Sequence, residues 1–377
     1  MENKIKVLFL VNIPSPYRVD FFNELGKLCE LTVLFERGTS EERNINWHNN
    51  NFNNFQAIFL KGKKIKKNTA LCFGVLKFLK RGLFDIFVVG GYSTPTGMLA
   101  IETLRQRKIP FILNSDGGII KNDKRLNFLM KSHFIKSASY WLSTGEHTTK
   151  YLVHYGANKD NTFVYPFTSL KKTDILETPI HKKLKSEMKS KLRMKEDKVI
   201  LSVGRFIDIK GFDILIKSSD KLPKNYGVYI VGGEPTQEYN DLKNRLNLSN
   251  LHFIDFKSKE DLKEFYLASD LFVLPTRGDI WGLVINEAMG KGLPIITTNK
   301  CVAGLELIND GDNGFIIPVN NSDALAMRIT DVLEDQQILD EMAKSSLEKI
   351  EEYTIENMAK VHMNIFYRIL NEDREIC

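Results

Sequence analysis

This sequence predicts two consecutive Rossmann-like α/β domains, each a parallel sheet covered by helices on both faces, and three observations carry the prediction. The chain has 377 residues, beyond the size at which a single hydrophobic core goes on growing. Short apolar runs alternate with helical periodicity, the pattern of parallel strands buried on both faces. The runs fall into two sets separated by a polar, Lys-rich interval without strand character, Leu170 to Lys198, which reads as an interdomain linker. The domains then span residues 1–170 and 190–355, and residues 356–377 carry a final helix.

Taken in order, the first set of strands is Lys6–Val11, Leu31–Phe35, Ile86–Gly90 and Phe111–Asn114. Lys6–Val11 is followed at once by Pro14 and Pro16, which makes it a buried strand rather than a signal or membrane segment. Nowhere else does a run approach the roughly 18 apolar residues needed to cross a bilayer. Asn44–Asn54 reads as an Asn-rich loop and Lys61–Lys67 as a solvated run. The second set is Val199–Val203, Val228–Val231, Leu271–Leu274 and Pro294–Thr297. Helices follow at Ala324–Leu333, Gln337–Tyr353 and Ile355–Leu370.

Hydrophobic content of 43% with 10% aromatics describes a chain able to bury two cores, not a disordered one. Residues 1–170 hold 24 Lys+Arg against 13 Asp+Glu, a balance of +11, and residues 171–377 hold 29 against 34, or −5. The basic half suits an anionic ligand or surface. Cys29, Cys72, Cys301 and Cys377 lack metal spacing and read as buried or free thiols of a reducing cytoplasm. His133, His147 and His154 read as structural or surface residues, since no histidine pair has the spacing of a metal site. No Gly-x-Gly-x-x-Gly follows the first strand and no Walker loop is present, which argues against a nicotinamide dehydrogenase and a P-loop enzyme.

The segment PTRGDIWGLVINEAMGKGLP, Pro275–Pro294, follows a buried strand and sets Gly282 where the next helix begins. The first amides of a helix have no intrahelical acceptor and sit at the positive end of its dipole, so Gly282, Leu283 and Val284 form a site suited to a diphosphate. Glu287 lies about one turn further in. It caps its helix's first turn in the plainer reading. The segment SVGRFIDIKG, Ser202–Gly211, places Arg205 and Lys210 at the carboxyl end of a strand, where open parallel sheets bind ligands. Two cations there would neutralise a departing diphosphate; two solvated loop cations are the alternative.

In the first domain PSPYR, Pro14–Arg18, opens a helix after the first strand. Tyr17 and Arg18 contact acceptor or phosphate in one reading, and are a packed ring and a surface charge in the other. GGYSTP, Gly90–Pro95, and NSDGG, Asn114–Gly118, follow later strands and are acceptor-site candidates, Tyr92 among them. Asp116 orients an acceptor hydroxyl or accepts its proton, or else binds turn amides.

Together these segments resemble glycosyltransferase family 4, the retaining sugar-nucleotide transferases of the GT-B fold, over most of the chain and most strongly from residue 199 to 318. VGGEP, Val231–Pro235, is similar to the family's Gly-x-Gly-Pro strand end, and ASDLFVLP, Ala268–Pro275, with DGDNG, Asp310–Gly314, completes the combination. The resemblance implies two Rossmann-like domains facing across a cleft, the last helix crossing back to the first domain. It implies a pair of acids separated by seven residues, Asp279 near the transferred sugar as a catalytic-site residue and Glu287 on the donor ribose. The family usually has Glu at the first position, so Asp279 is one methylene shorter. It implies Arg205 and Lys210 on the donor diphosphate, so that neither a divalent metal nor an Asp-x-Asp metal motif is needed. The backbone of Ser15 and Pro16 is expected to approach the donor phosphates, although the Gly-Gly pair common there is missing. Many relatives carry His where this chain has Asp116.

The activity so implied is transfer of a hexose or N-acetylhexosamine, with retention, from a nucleotide diphosphate sugar to a glycan or lipid-linked acceptor in bacterial surface polysaccharide assembly, capsule or O-antigen. UDP is the carrier by family frequency. A nucleotide-sugar epimerase and a non-catalytic sugar-nucleotide-binding protein fit the same donor residues. The expected location is the cytoplasm, with peripheral contact at the inner face of the cell membrane. That contact would use Lys121–Lys136, which combines cations with Leu126, Phe128, Leu129, Met130, Phe134 and Ile135, together with Lys61–Lys67 and Lys77–Arg81. An ordinary helix packing its apolar stripe on the sheet is the other reading. No nucleic-acid recognition motif accompanies the charge.

Overall fold

The computed structural model describes residues 4–38, 51–66 and 69–375; residues 44–50 of the Asn-rich loop, Lys67 and Cys377 lie outside them. The chain divides into two compact units, Met1–Ser169 with Tyr353–Cys377, and Leu170–Glu352.

In the first unit, strands β1 (Lys6–Val11), β2 (Glu30–Phe35), β3 (Gln56–Phe59), β6 (Ile86–Val89), β7 (Ile112–Ser115), β8 (Tyr140–Ser143) and β9 (Thr162–Val164) form a parallel sheet in the order β3-β2-β1-β6-β7-β8-β9. The antiparallel pair β4 (Lys63–Lys66) and β5 (Thr69–Leu71) lies outside it. In β1 every residue from Val7 to Val11 is buried, because helices cover both faces and no polar alternation is needed. Helix α1 (Pro16–Leu28) starts with Pro16 in its first turn, where the missing N–H costs nothing. Helix α2 (Pro95–Gln106) is capped by Thr94, whose hydroxyl accepts from Gly97 N at 3.0 Å. Helices α3 (Arg125–Ile135) and α4 (Glu146–His154) complete the first stretch of chain.

The second unit holds α5 (Lys182–Lys191) and strands β10 (Lys198–Val203), β11 (Tyr226–Val231), β12 (Leu251–Ile254), β13 (Leu271–Leu274), β14 (Ile295–Thr298) and β15 (Gly314–Ile317), paired in parallel in the order β12-β11-β10-β13-β14-β15. Its remaining helices are α6 (Phe212–Ser219), α7 (Gln237–Arg245), α8 (Lys259–Ala268), α9 (Leu283–Met289), α10 (Val302–Leu307), α11 (Ser322–Glu334) and α12 (Gln336–Ile350). The chain then returns to the first unit as α13 (Ile355–Glu375), which packs on α1. There the His362 ring lies 4.7 Å from Phe21 and 4.6 Å from Tyr165, and burial pushes its pKa down to about 4, so the imidazole is a neutral core group.

The Lys-rich interval is not a linker. Leu170 already belongs to the second unit, and α5 packs along α8. Lys185 and Lys189 reach the carboxylate of buried Asp270 at 2.8 and 3.0 Å, and Val199 N donates to it at 2.8 Å. Burial alone would raise the Asp270 carboxyl; the two lysines outweigh it and hold it below its ordinary value. A composition that looks solvated therefore conceals a structural ion cluster, because long lysine stems lie along the surface while their ammonium groups turn inward.

Candidate functional site

In both sheets the strand order reverses beside the first strand, between β1 and β6 and between β10 and β13. Loops leaving the carboxyl ends of the two strands at such a reversal diverge and leave a crevice, the usual ligand site of open parallel sheets. Most sequence candidates fall on those loops or in the helices they open; Asp116 instead follows β7.

In the second unit Arg205 is exposed just past the end of β10, and Lys210 closes a short 3-10 turn, Asp208–Lys210. Gly211 follows with φ 67°, and a Cβ there would come 2.1 Å from Pro275 O, so the loop after β10 touches the loop after β13 only because this residue is glycine. Arg277 stitches the two loops together: its guanidinium donates to Asp208 O at 2.6 Å and to Asp213 at 2.8 Å, and its backbone N–H donates to Ile209 O at 2.8 Å. Sequence reasoning passed over Arg277, although it lies inside the segment singled out; its signal was two acids, Asp208 on the neighbouring loop and Asp213 in the first turn of α6.

Asp279 is pinned from both sides of its backbone, its N–H donating to Lys300 O at 2.9 Å and its carbonyl accepting from Val302 N at 3.1 Å. Its carboxylate accepts from Lys210 Nζ at 2.6 Å. Both side chains are mostly covered, 17% and 19% exposed, so the pair is only partly screened by water. Gly282, φ 106°, precedes α9 in the left-handed region, where a Cβ would meet Cys301 Sγ at 3.0 Å. Leu283 and Val284 form the first turn of α9, so helix geometry leaves their amides without intrahelical acceptors. Glu287 sits on the same helix and accepts from the buried hydroxyl of Tyr266 at 3.0 Å. Burial first, and Glu287 second, raise the Tyr266 pKa well above its ordinary value, which keeps that hydroxyl a donor. Cys301 lies beneath the loop, and burial pushes its thiol up to about 12, so it is unreactive.

In the first unit Ser15 is the residue before α1 and Pro16 its first residue. Arg18 is no surface charge: its side chain is 13% exposed and its guanidinium forms an ion pair with Asp116. Asp116 accepts further from Asn114 Nδ2 at 2.9 Å, and from the Tyr17 and Tyr165 hydroxyls at 3.4 Å. The opposed charge of Asp116 overcomes burial and raises the Arg18 pKa, so the cation is permanent. The second terminal nitrogen, Nη1, is buried without a hydrogen-bond partner among the described residues. Tyr17 packs edge-on against Phe167 at 5.6 Å. Tyr92 is half-buried, its hydroxyl bonded to that of Tyr151, which turns this acceptor candidate toward the unit's own core. Glu36, just past the end of β2, was missed: it is 4% exposed, one carboxylate oxygen accepts from Thr94 Oγ1 at 2.6 Å and the other is buried without a partner among the described residues.

Among the described residues no group of three or more His, Cys, Asp or Glu is arranged to hold a metal ion, and no helix is long and apolar enough to cross a membrane.

Residues 185–352 match the family model described as "Glycosyl transferases group 1". An uncharacterized glycosyltransferase of Haemophilus influenzae is 32% identical over 175 residues, 45% of this chain and 49% of that protein. The lipopolysaccharide core biosynthesis glycosyltransferase LpsE of Rhizobium meliloti is 27% identical over 153 residues, 40% of this chain and 44% of that one. The chain thus spans about half the length of these curated relatives. Among solved structures, Anabaena HepE in complex with UDP-glucose superposes with a TM-score of 0.75 at 17% identity, covering 97% of this chain and 99% of that one. The likeness shows the fold to be GT-B, with two Rossmann-like units.

Proposed function

We propose that the chain is a retaining, metal-independent glycosyltransferase that takes a hexose or N-acetylhexosamine from a nucleotide diphosphate sugar, UDP as carrier, to a glycan or lipid-linked acceptor in surface polysaccharide assembly. The observation that carries this reading is the gathering of Arg205, Lys210, Asp279, Gly282 and Glu287 on the loops that flank the strand-order reversal of the second unit. This is also the stretch that matches the glycosyl transferase model. The UDP-glucose bound by HepE and the lipopolysaccharide role printed for LpsE agree with it.

In this reading Arg205, Lys210 and the amides of Leu283 and Val284 hold the diphosphate and stabilise its charge as it leaves, the task that a divalent metal performs elsewhere. Glu287, steadied by Tyr266, accepts from the ribose hydroxyls. Asp279 faces the transferred sugar and fixes the direction of the Lys210 ammonium. The acceptor hydroxyl attacks from the face the diphosphate leaves, giving retention. In the first unit Arg18 and Asp116 act as one paired unit that orients a hydroxyl.

The test is incubation with UDP-hexoses and a glycan acceptor in EDTA, followed by proton NMR of the product. Release of UDP with a retained anomeric centre supports the reading. Epimerised free nucleotide sugar without transfer, or transfer only after magnesium is restored, overturns it.

A further inference from the structure

The basic amphipathic segment singled out in the sequence packs only part of its apolar residues on the first unit's core, Phe128, Phe134 and Ile135, and turns the rest to solvent. Helix α3 faces the core through Phe128, whose ring lies 5.4 Å from Tyr155, and through fully buried Ile135. On the opposite side Leu126, Leu129 and Met130 are 78%, 53% and 44% exposed, and Ile120, just ahead of the helix, is 48% exposed. Positions 126, 129 and 130 share one face of a helix, about 180° from the face of 128 and 135. The helix thus has two apolar faces, one of them turned to solvent.

The charges around the outward face have one sign. Lys121, Lys124 and Arg125 are exposed. The one acid of the segment, Asp123, is turned inward, where it accepts from Lys131 Nζ at 2.7 Å and from the Tyr155 hydroxyl. Lys131 also packs over the Tyr155 ring at 4.9 Å. The internal pair cancels itself and leaves three cations beside four exposed apolar side chains. A protein partner would ask for shaped pockets and a mixture of charge signs; bulky apolar tips ringed by lysine and arginine suit the boundary between lipid headgroups and acyl chains.

We infer that Ile120–Met130 is a docking surface for an anionic lipid bilayer, with Leu126, Leu129 and Met130 entering the headgroup boundary while Lys121, Lys124 and Arg125 pair with acidic headgroups. The inference is independent of the donor reading.

Flotation of the full chain with vesicles of phosphatidylglycerol and phosphatidylcholine, against phosphatidylcholine alone, tests it. Binding to the anionic vesicles that weakens with salt is expected. Replacing Lys121, Lys124 and Arg125 together by Gln should weaken it on the order of hundredfold, from about fivefold per cation. Replacing Leu126, Leu129 and Met130 together by Ser should weaken it at least tenfold, with the protein still folded and its thermal midpoint lowered only by a few degrees, since Leu126 is mostly exposed and Leu129 and Met130 are half-exposed. In Leu126→Trp, indole fluorescence should shift to the blue on adding anionic vesicles. No binding by the parent chain, binding by either triple variant as tight as the parent's, an unmoved indole spectrum, or self-association relieved by the Ser variant would each overturn the assignment.

Discussion

Glu287, proposed above to contact the donor ribose, is held by a buried neighbour. A carboxylate on a short helix has freedom to swing, and the Tyr266 hydroxyl at 3.0 Å removes it. Burial raises the pKa of that phenol well above its ordinary value, so it stays a donor at neutral pH. Tyr266→Phe deletes one buried hydrogen bond to a charged acceptor, worth about 1.5–3 kcal/mol, part of which appears as lost donor affinity. Titration calorimetry should show UDP binding weakened roughly 5- to 50-fold in Tyr266→Phe and more in Glu287→Ala. An unchanged affinity in Tyr266→Phe would mean that the tyrosine only fills space. The Lys210–Asp279 pair has the same logic with opposite charges: each fixes the other's direction before a ligand arrives.

Glu36 joins two elements, the end of β2 and the start of α2, through Thr94, whose hydroxyl donates to Glu36 and accepts from Gly97 N. Burial pushes the Glu36 pKa up to about 7 from an ordinary 4.5, against the smaller opposing effects of Thr94 and Arg37. The folded chain therefore keeps this proton between about pH 4.5 and 7 while the unfolded chain has released it. The sign follows: stability tied to Glu36 is fully present below pH 4.5 and is lost as pH rises through 7. Glu36→Gln keeps the acceptor and removes the titration. Chemical denaturation should find it more stable than the parent at pH 8 by about 1–3 kcal/mol, with the gap closing below pH 4.5; a gap of the same size at both pH values would contradict the assignment.

Such junctions mark the limit of what the sequence shows. The central strands β1, β6, β10 and β13 were legible because burial on both faces leaves an unbroken apolar run. The edge strands β3, β9, β12 and β15 were not, being three or four residues long with half-buried positions that resemble loop. Of the donor loops, Gly282 was readable from its place between an apolar run and a helical pattern, whereas Arg277 and Tyr266 act through partners 64 and 21 residues away, a relation that no local pattern carries. Asp116 was placed on its loop correctly, but its partner Arg18 lies 98 residues off, so the reading of Arg18 as a surface charge had nothing local to oppose it.

Across the whole chain the two units repeat one plan, a parallel sheet whose order reverses beside its first strand, and they differ in charge, +10 in residues 1–169 with 353–377 and −4 in residues 170–352. The acidic half nonetheless presents cations, Arg205 and Lys210, where a diphosphate would sit, which is why net charge predicts a unit's solution behaviour better than it predicts its ligand. Binding of a nucleotide diphosphate by the second unit without metal is the claim on which the functional reading rests. Calorimetric titration of the full chain with UDP, GDP and ADP in EDTA, repeated on Lys210→Ala and Glu287→Ala, tests it most directly. One nucleotide should bind the parent, and each substitution should weaken it at least tenfold while the thermal midpoint of the free protein stays within a few degrees. No binding by the folded parent, or binding that neither substitution weakens, would contradict the donor site.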